Sequence, residues 1–149
     1  MTLYFLESSA LAKLFIAENG SERLIAIVEP LSQPQKLISS LGSIEVHSAI
    51  RRRERAGELT SPAAAEALKI ARTEFALMTE LTLNSAVAET AKEMLDRHSL
   101  RALDAIQLAS CWVGRITSGM TDIVFVASDH TLLAAAKTEG LQILNPEEL

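Results

Sequence analysis

Aromatic residues are scarce, at 4% of 149 positions, so any core must be filled mainly by Ala, Leu, Ile and Val. Cysteine occurs once, as Cys111, which excludes an internal disulfide; its apolar helical surroundings assign it to the core. No apolar run approaches the roughly 20 residues needed to cross a bilayer. Glu7 interrupts the first apolar stretch and no basic start precedes it, so the N-terminus does not read as a signal peptide, and the cytoplasm is the expected location. There is no Gly-rich phosphate loop, no CxxC pair and no serine-triad pattern to support the chemistries those motifs carry. His47, His98 and His130 have no metal-ligand spacing. Positive charge is also short: 14 Lys and Arg against 19 Asp and Glu leave a net charge of −5. That balance argues against general nucleic-acid binding, which needs local Lys or Arg at phosphates. A cluster of metal-binding carboxylates would itself account for much of the excess.

What remains is ordinary for a soluble protein: 48% hydrophobic and 22% charged residues, long enough for one domain over residues 1–149. Strand and helix patterns alternate throughout. Leu3 to Leu6 forms an apolar run of strand length, and Ser8 or Ser9 can cap a helix to about Phe15. Leu24, Ile25, Ile27 and Val28 pattern a second helix that stops at Pro30. Lys36 to Ser39 predicts the next strand. A helix from about Leu41 ends at Gly57 after the basic turn Arg51, Arg52, Arg53 and Arg55. Ser61 reads as an N-cap with Pro62 at the first helical position, opening an Ala-rich helix to about Met78. Leu81 to Leu83 predicts a short strand, and Asn84 caps the helix after it. A helix from Ala102 to about Arg115, a strand from Ile123 to Ala127, a helix to Lys137 and a strand from Leu141 to Leu144 follow. Continuous apolar strands alternating with helices imply a mainly parallel sheet covered on both faces, a three-layer α/β/α sandwich.

In such sheets ligands bind at the carboxyl ends of the strands. Glu7 directly follows the first strand, and Asp129 follows the strand from Ile123 to Ala127. Two more acids stand out on helices. Asp104 shares a stripe with Leu108 and Cys111, where a carboxylate is costly to bury unless something positive meets it. Glu45 shares a face with Leu41 and Ala49. Each acid also has a plain structural role open to it. Asp129 can be an N-cap, Glu7 can complement a helix dipole, Asp104 can pair with Arg101, and Glu45 with Arg52. Ser9 and Ser128 can orient water or substrate, or serve as caps. Jointly, converging carboxylates repel, and a cluster persists only with protons or cations. Oxygen-only ligands suit Mg²⁺ or Mn²⁺, which activate water and stabilise the leaving oxygen in phosphodiester hydrolysis.

The segment Tyr4-Phe5-Leu6-Glu7-Ser8-Ser9-Ala10-Leu11 resembles the opening of PIN domains, with Glu where that family usually has Asp. Ser43-Ile44-Glu45-Val46, Leu103-Asp104-Ala105-Ile106-Gln107 and Phe125-Val126-Ala127-Ser128-Asp129 are similar to its later acidic motifs, in the family's order. The resemblance is closest to VapC-like toxins. It implies a PIN-like fold and a ribonuclease using Mg²⁺ or Mn²⁺ held by Glu7, Glu45, Asp104 and Asp129. It also implies a homodimer, with RNA as substrate and an antitoxin as inhibitor. Two rivals stay open: a PIN-like scaffold that binds RNA or an antitoxin without cutting, and a phosphoacceptor receiver domain. The second needs adjacent acids after the first strand and a nearby lysine, neither of which is evident.

Overall fold

The computed structural model describes residues 1–119 and 121–148. Five strands form one parallel sheet in the order β3-β2-β1-β4-β5. They are β1 (Leu3–Leu6), β2 (Lys36–Ser39), β3 (Thr79–Leu81), β4 (Ile123–Val126) and β5 (Gln142–Leu144). The helices are α1 (Ser8–Ala12), α2 (Ser21–Val28), α3 (Ser40–Arg55), α4 (Ser61–Leu77), α5 (Ser85–Arg97), α6 (Ala102–Ser118) and α7 (His130–Thr138). A 3-10 turn over Gln33–Gln35 leads into β2.

The period-2 alternation of strand side chains divides the core in two. Phe5, Leu37 and Phe125 point to one face, where they pack with Val87, Met94, Leu108 and Leu132 from α5, α6 and α7. Leu6, Ile38 and Val126 point to the other, against Leu11, Leu24, Val46 and Ile50 from α1, α2 and α3. The α/β/α sandwich predicted from the sequence is the observed architecture. β1 and β4 pair in register from Leu3 opposite Ile123 to Leu6 opposite Val126. Phe5 and Phe125 stack between them at a centroid distance of 5.5 Å. Among the described residues no helix is long and apolar enough to cross a membrane.

Several boundaries differ from those expected. β3 begins at Thr79, two residues before the predicted Leu81–Leu83 strand, because Leu37, Ile38 and Ser39 pair with Thr79, Glu80 and Leu81. Register against a neighbour outweighs local apolarity on an edge strand. The N-cap of α4 is Thr60, whose Oγ1 accepts from the Ala63 amide at 3.2 Å, so Ser61 is the first helical residue and Pro62 the second. The first helix ends at Ala12 instead of running to Phe15, whereas α6 continues past Arg115 to Ser118. Cys111 is fully buried, as expected, and desolvation pushes its thiol far above the usual range.

The order of chain and sheet explains where a ligand can go. From β1 the chain proceeds outward to β2 and β3, then crosses back to β4 and β5 on the other side. The reversal lies between β1 and β4, and the crevice at their carboxyl ends is the expected site. Phe125→Ala should lower the free energy of unfolding by about 3–5 kcal/mol, since it empties a fully buried aromatic position at that central strand pair. Urea denaturation checks this, and a loss under ~1 kcal/mol would contradict a stacked, close-packed core.

Candidate functional site

A cleft of about 990 Å³ opens at the carboxyl edge of the sheet. Glu7, Ser8, Ser9, Glu45, Asp104 and Ser128 line it, together with the cations Lys13, Arg52, Arg53 and Arg101. Glu18, Glu58 and Glu147 line it too, beside the cations, and Glu7, Glu45 and Asp104 arrive on different elements.

Glu7 is the residue between β1 and α1. It adopts extended backbone and caps α1, its Oε2 accepting from the Ser9 amide at 3.0 Å and from the Ser9 hydroxyl. Only 6% of the residue is exposed. Burial pushes its carboxyl up to about 7, against the two Ser9 hydrogen bonds; the nearby charges of Glu45 and Asp104 push the same way. Ser9 also accepts from the Ser128 amide at 3.2 Å, so one hydroxyl ties the end of β1 to the loop after β4.

Glu45 projects from α3. Its Oε1 accepts from the Ser8 hydroxyl at 2.7 Å and from Gln107 Nε2 at 3.0 Å, and Gln107 Nε2 also reaches Ser8 Oγ at 2.7 Å. The triangle joins α1, α3 and α6 behind the cleft. Glu45 therefore does not take the Arg52 pairing that its helical spacing allowed. Asp104 sits in the first turn of α6, its side chain 16% exposed, and accepts from Arg101 Nε at 3.3 Å.

Asp129 is placed differently. It is exposed, it caps α7 by accepting from the Leu132 amide at 2.9 Å, and it does not line the cleft. Ser128 lines the cleft in its place, with a buried hydroxyl that has no hydrogen-bond partner among the described residues. Of the four acids read from the sequence, the fold gathers Glu7, Glu45 and Asp104 and sets Asp129 just outside. Of the four arginines at the end of α3, Arg52 and Arg53 face the cleft, and Arg51 turns to Glu54 at 2.9 Å.

Gln107 and Ser8 were not legible as functional residues. Gln107 is 1% exposed and sits where a Gln is unusual, three residues beyond Asp104 on the same apolar helix. That burial pattern was the available signal, and the helical stripe gave no hint of which acid it would hold.

Among the described residues no three of His, Cys, Asp and Glu stand close enough, as placed, to enclose an ion. The donor set nevertheless fits a hard divalent cation in kind and charge. Among the described residues, Glu7 Oε1, Glu45 Oε2 and Asp104 Oδ1 accept no hydrogen bond, each carboxylate being anchored through its other oxygen. Carboxylates with a free oxygen, in a cleft that a Ser128 hydroxyl without a partner among the described residues also lines, are the oxygen donors such a cation takes.

The raised Glu7 carboxyl has a measurable consequence. Its extra stability is present below about pH 4.5, where the group is protonated whether folded or unfolded, and is lost as pH rises through about 7. Without metal, Glu7→Gln should match wild type near pH 4.5 and exceed it at pH 8, by about 3 kcal/mol at most. Thermal melts across that range test the sign, and a variant less stable than wild type at pH 8 would refute the buried charge.

Comparisons with known proteins bear on the fold and the family. A search of curated proteins finds no relative by sequence. Among solved structures, a toxin–antitoxin complex from Klebsiella pneumoniae superposes with a TM-score of 0.68 at 17% identity, covering 99% of this chain and 100% of that one. PAE2754 from Pyrobaculum aerophilum gives 0.65 at 23% identity, covering 98% and 90%. FitAcB from Neisseria gonorrhoeae gives 0.60 at 14% identity, covering 99% and 100%. These likenesses are of fold. Residues 4–138 match the family profile described as PIN domain, and the chain belongs to that family.

Proposed function

We propose that this protein is a Mg²⁺- or Mn²⁺-dependent ribonuclease, and that it acts as the toxin of a toxin–antitoxin pair. The observation that carries the reading is the convergence of Glu7, Glu45 and Asp104 on one cleft at the β1–β4 reversal, with Glu7 buried and coupled to the other two. Catalysis by PIN domains is typically nucleolytic and metal-dependent. When bound, a divalent ion would supply a nucleophilic hydroxide and charge stabilisation for the leaving oxygen. Glu7, Glu45 and Asp104 would hold it, with Asp129 at the rim.

The remaining tasks fall to the chain's own side chains. Ser9 anchors one oxygen of Glu7, while Ser8 and Gln107 anchor one oxygen of Glu45, so each keeps its other oxygen to turn toward a cation. Arg52, Arg53 and Arg101 at the cleft walls offer the local positive charge that RNA needs despite the net −5. The toxin role draws on the similarity to the toxin–antitoxin complex from Klebsiella pneumoniae and implies an antitoxin partner. A homodimer and a cytoplasmic location belong to the same reading.

One observation favours the alternative, a PIN-like protein that binds RNA or an antitoxin without cutting. Glu7 is one methylene longer than the family's Asp and spends one carboxylate oxygen on capping α1. Glu7→Asp separates the two readings, because Asp also caps well and keeps the fold. A purified protein inert on RNA with Mn²⁺, but active as Glu7→Asp, would select the alternative.

The direct test is Asp104→Asn. The variant should stay folded and lose cleavage of single-stranded RNA by about 100-fold or more in Mn²⁺, since a misplaced or missing ligand near the chemistry costs that much. Mn²⁺ should also raise the melting temperature of wild type at pH 8 more than that of Glu7→Gln. Full cleavage by folded Asp104→Asn would remove this site from the mechanism.

A further inference from the structure

Lys13 is the cation that the site so far leaves without a task. It lies directly after α1, six residues from Glu7, so the two bracket the same helix about 9 Å apart along its axis. Both line the cleft. The side chain is only 6% exposed, which is rare for lysine unless its charge is answered. Glu18 answers it partly, Oε1 accepting from Lys13 Nζ at 3.2 Å, while the other oxygen of Glu18 is taken by Arg53. Glu147 Oε1 stands at 3.8 Å, close enough for attraction but beyond a hydrogen bond.

An ammonium carries three N–H donors, and among the described residues Lys13 Nζ donates to Glu18 alone. Glu147 has other partners. Asn19 Nδ2 reaches the same Oε1 at 3.2 Å, and the Glu147 backbone amide donates to Asn145 Oδ1 at 2.9 Å. The segment seats against the loop before α2, where Gly20 has φ +87° and a Cβ would come within 3.0 Å of the Pro146 carbonyl. The backbone is thus fixed, while the Glu147 carboxylate is 30% exposed and is held by hydrogen bond to Asn19, itself exposed, and not to Lys13.

We propose that Lys13 is a phosphate-binding residue for the RNA strand and that the Glu147 carboxylate occupies its place until the strand enters. The proposal rests on the nuclease reading and deepens it. A phosphate next to the one being cut would take the two unused N–H donors, and Glu147 would release Lys13 to it. Lys13 acts on binding and register, not on the reacting atoms.

The test is binding of a labelled 12-nucleotide single-stranded RNA of mixed sequence in EDTA, followed by anisotropy from 50 to 200 mM KCl. Lys13→Gln should weaken binding at least ~5-fold at the lowest salt and flatten the slope of log K against log salt by about 0.7, one phosphate contact on a single strand. Lys13→Arg should keep most of the affinity. Glu147→Gln should tighten binding about 3-fold by removing the competitor, more than Glu148→Gln, which makes the same charge change beside it. A merely structural Lys13–Glu147 pair predicts the opposite for Glu147→Gln, with lost stability and no gain in affinity. A folded Lys13→Gln with wild-type affinity and slope overturns the proposal. If Lys13→Gln does not fold, Glu147→Gln decides, and affinity no greater than that of Glu148→Gln overturns it. Wild type that binds with this lysine dependence but never cleaves sinks the nuclease reading alone. Wild type that cleaves while both variants bind unchanged sinks the lysine proposal alone, and wild type that does not bind the RNA sinks both.

Discussion

Three carboxylates brought together in a half-buried cleft repel one another, and the architecture around the sheet reversal is arranged to hold them there regardless. Glu7 bears the largest cost, being the most desolvated of the three, and its carboxyl rises to about 7 in consequence. Such a group holds its proton near neutrality until a cation takes its place. The hydrogen bonds to Glu7 and Glu45 come from short, neutral donors: Ser8, Ser9 and Gln107. An Arg or Lys bonded directly to either acid would have relieved the repulsion permanently, leaving less electrostatic reason to bind a metal. Neutral anchors fix position and leave the charge unanswered.

That choice also organises the cations. They stand at the walls of the cleft rather than in its acidic centre, and most are shared with acids of their own: Arg101 with Asp104, Arg53 with Glu18 and Glu58, Lys13 with Glu18 and Glu147. The pairs of Arg101 and Arg53, unlike those of the buried Lys13, lie near the surface, are worth little each and exchange readily for other partners. A polyanion entering the cleft meets positive charge that can be transferred to it without stranding a buried ion. The net charge of −5 is therefore a poor guide to what this cleft can bind.

Much of this was legible from residue order. The strand runs at Leu3–Leu6 and Ile123–Ala127, and the helical patterns between them, led to the parallel sandwich, and Glu7 fell at a strand end because of it. Asp104 and Glu45 stood out as acids on otherwise apolar helical faces. What sequence could not supply was pairing across long separations. The register of β3 is set by β2, and Gln107 is explained by Ser8, 99 residues earlier, through a bond no local pattern encodes. Capping was similarly hidden. Ser61 and Thr60 are both good caps, and only the entry direction of the chain into α4 chose Thr60.

Glu7 and Asp129 make the sharpest case, because their local grammar is the same. Each follows a central strand, each begins a helix, and each accepts a hydrogen bond from an amide of the first turn. Yet Glu7 is buried and coupled to two other acids, while Asp129 stands in solvent as a cap. The difference comes from what lies opposite. α3 and α6 carry Glu45 and Gln107 to the end of β1 and cover it, whereas the acid after β4 points outside the cleft and only Ser128 turns in. A strand-end acid acquires unusual chemistry when the fold removes its water, and the helices that do so here are those that bring the second and third acids. Burial of the first and convergence of the others are a single structural event.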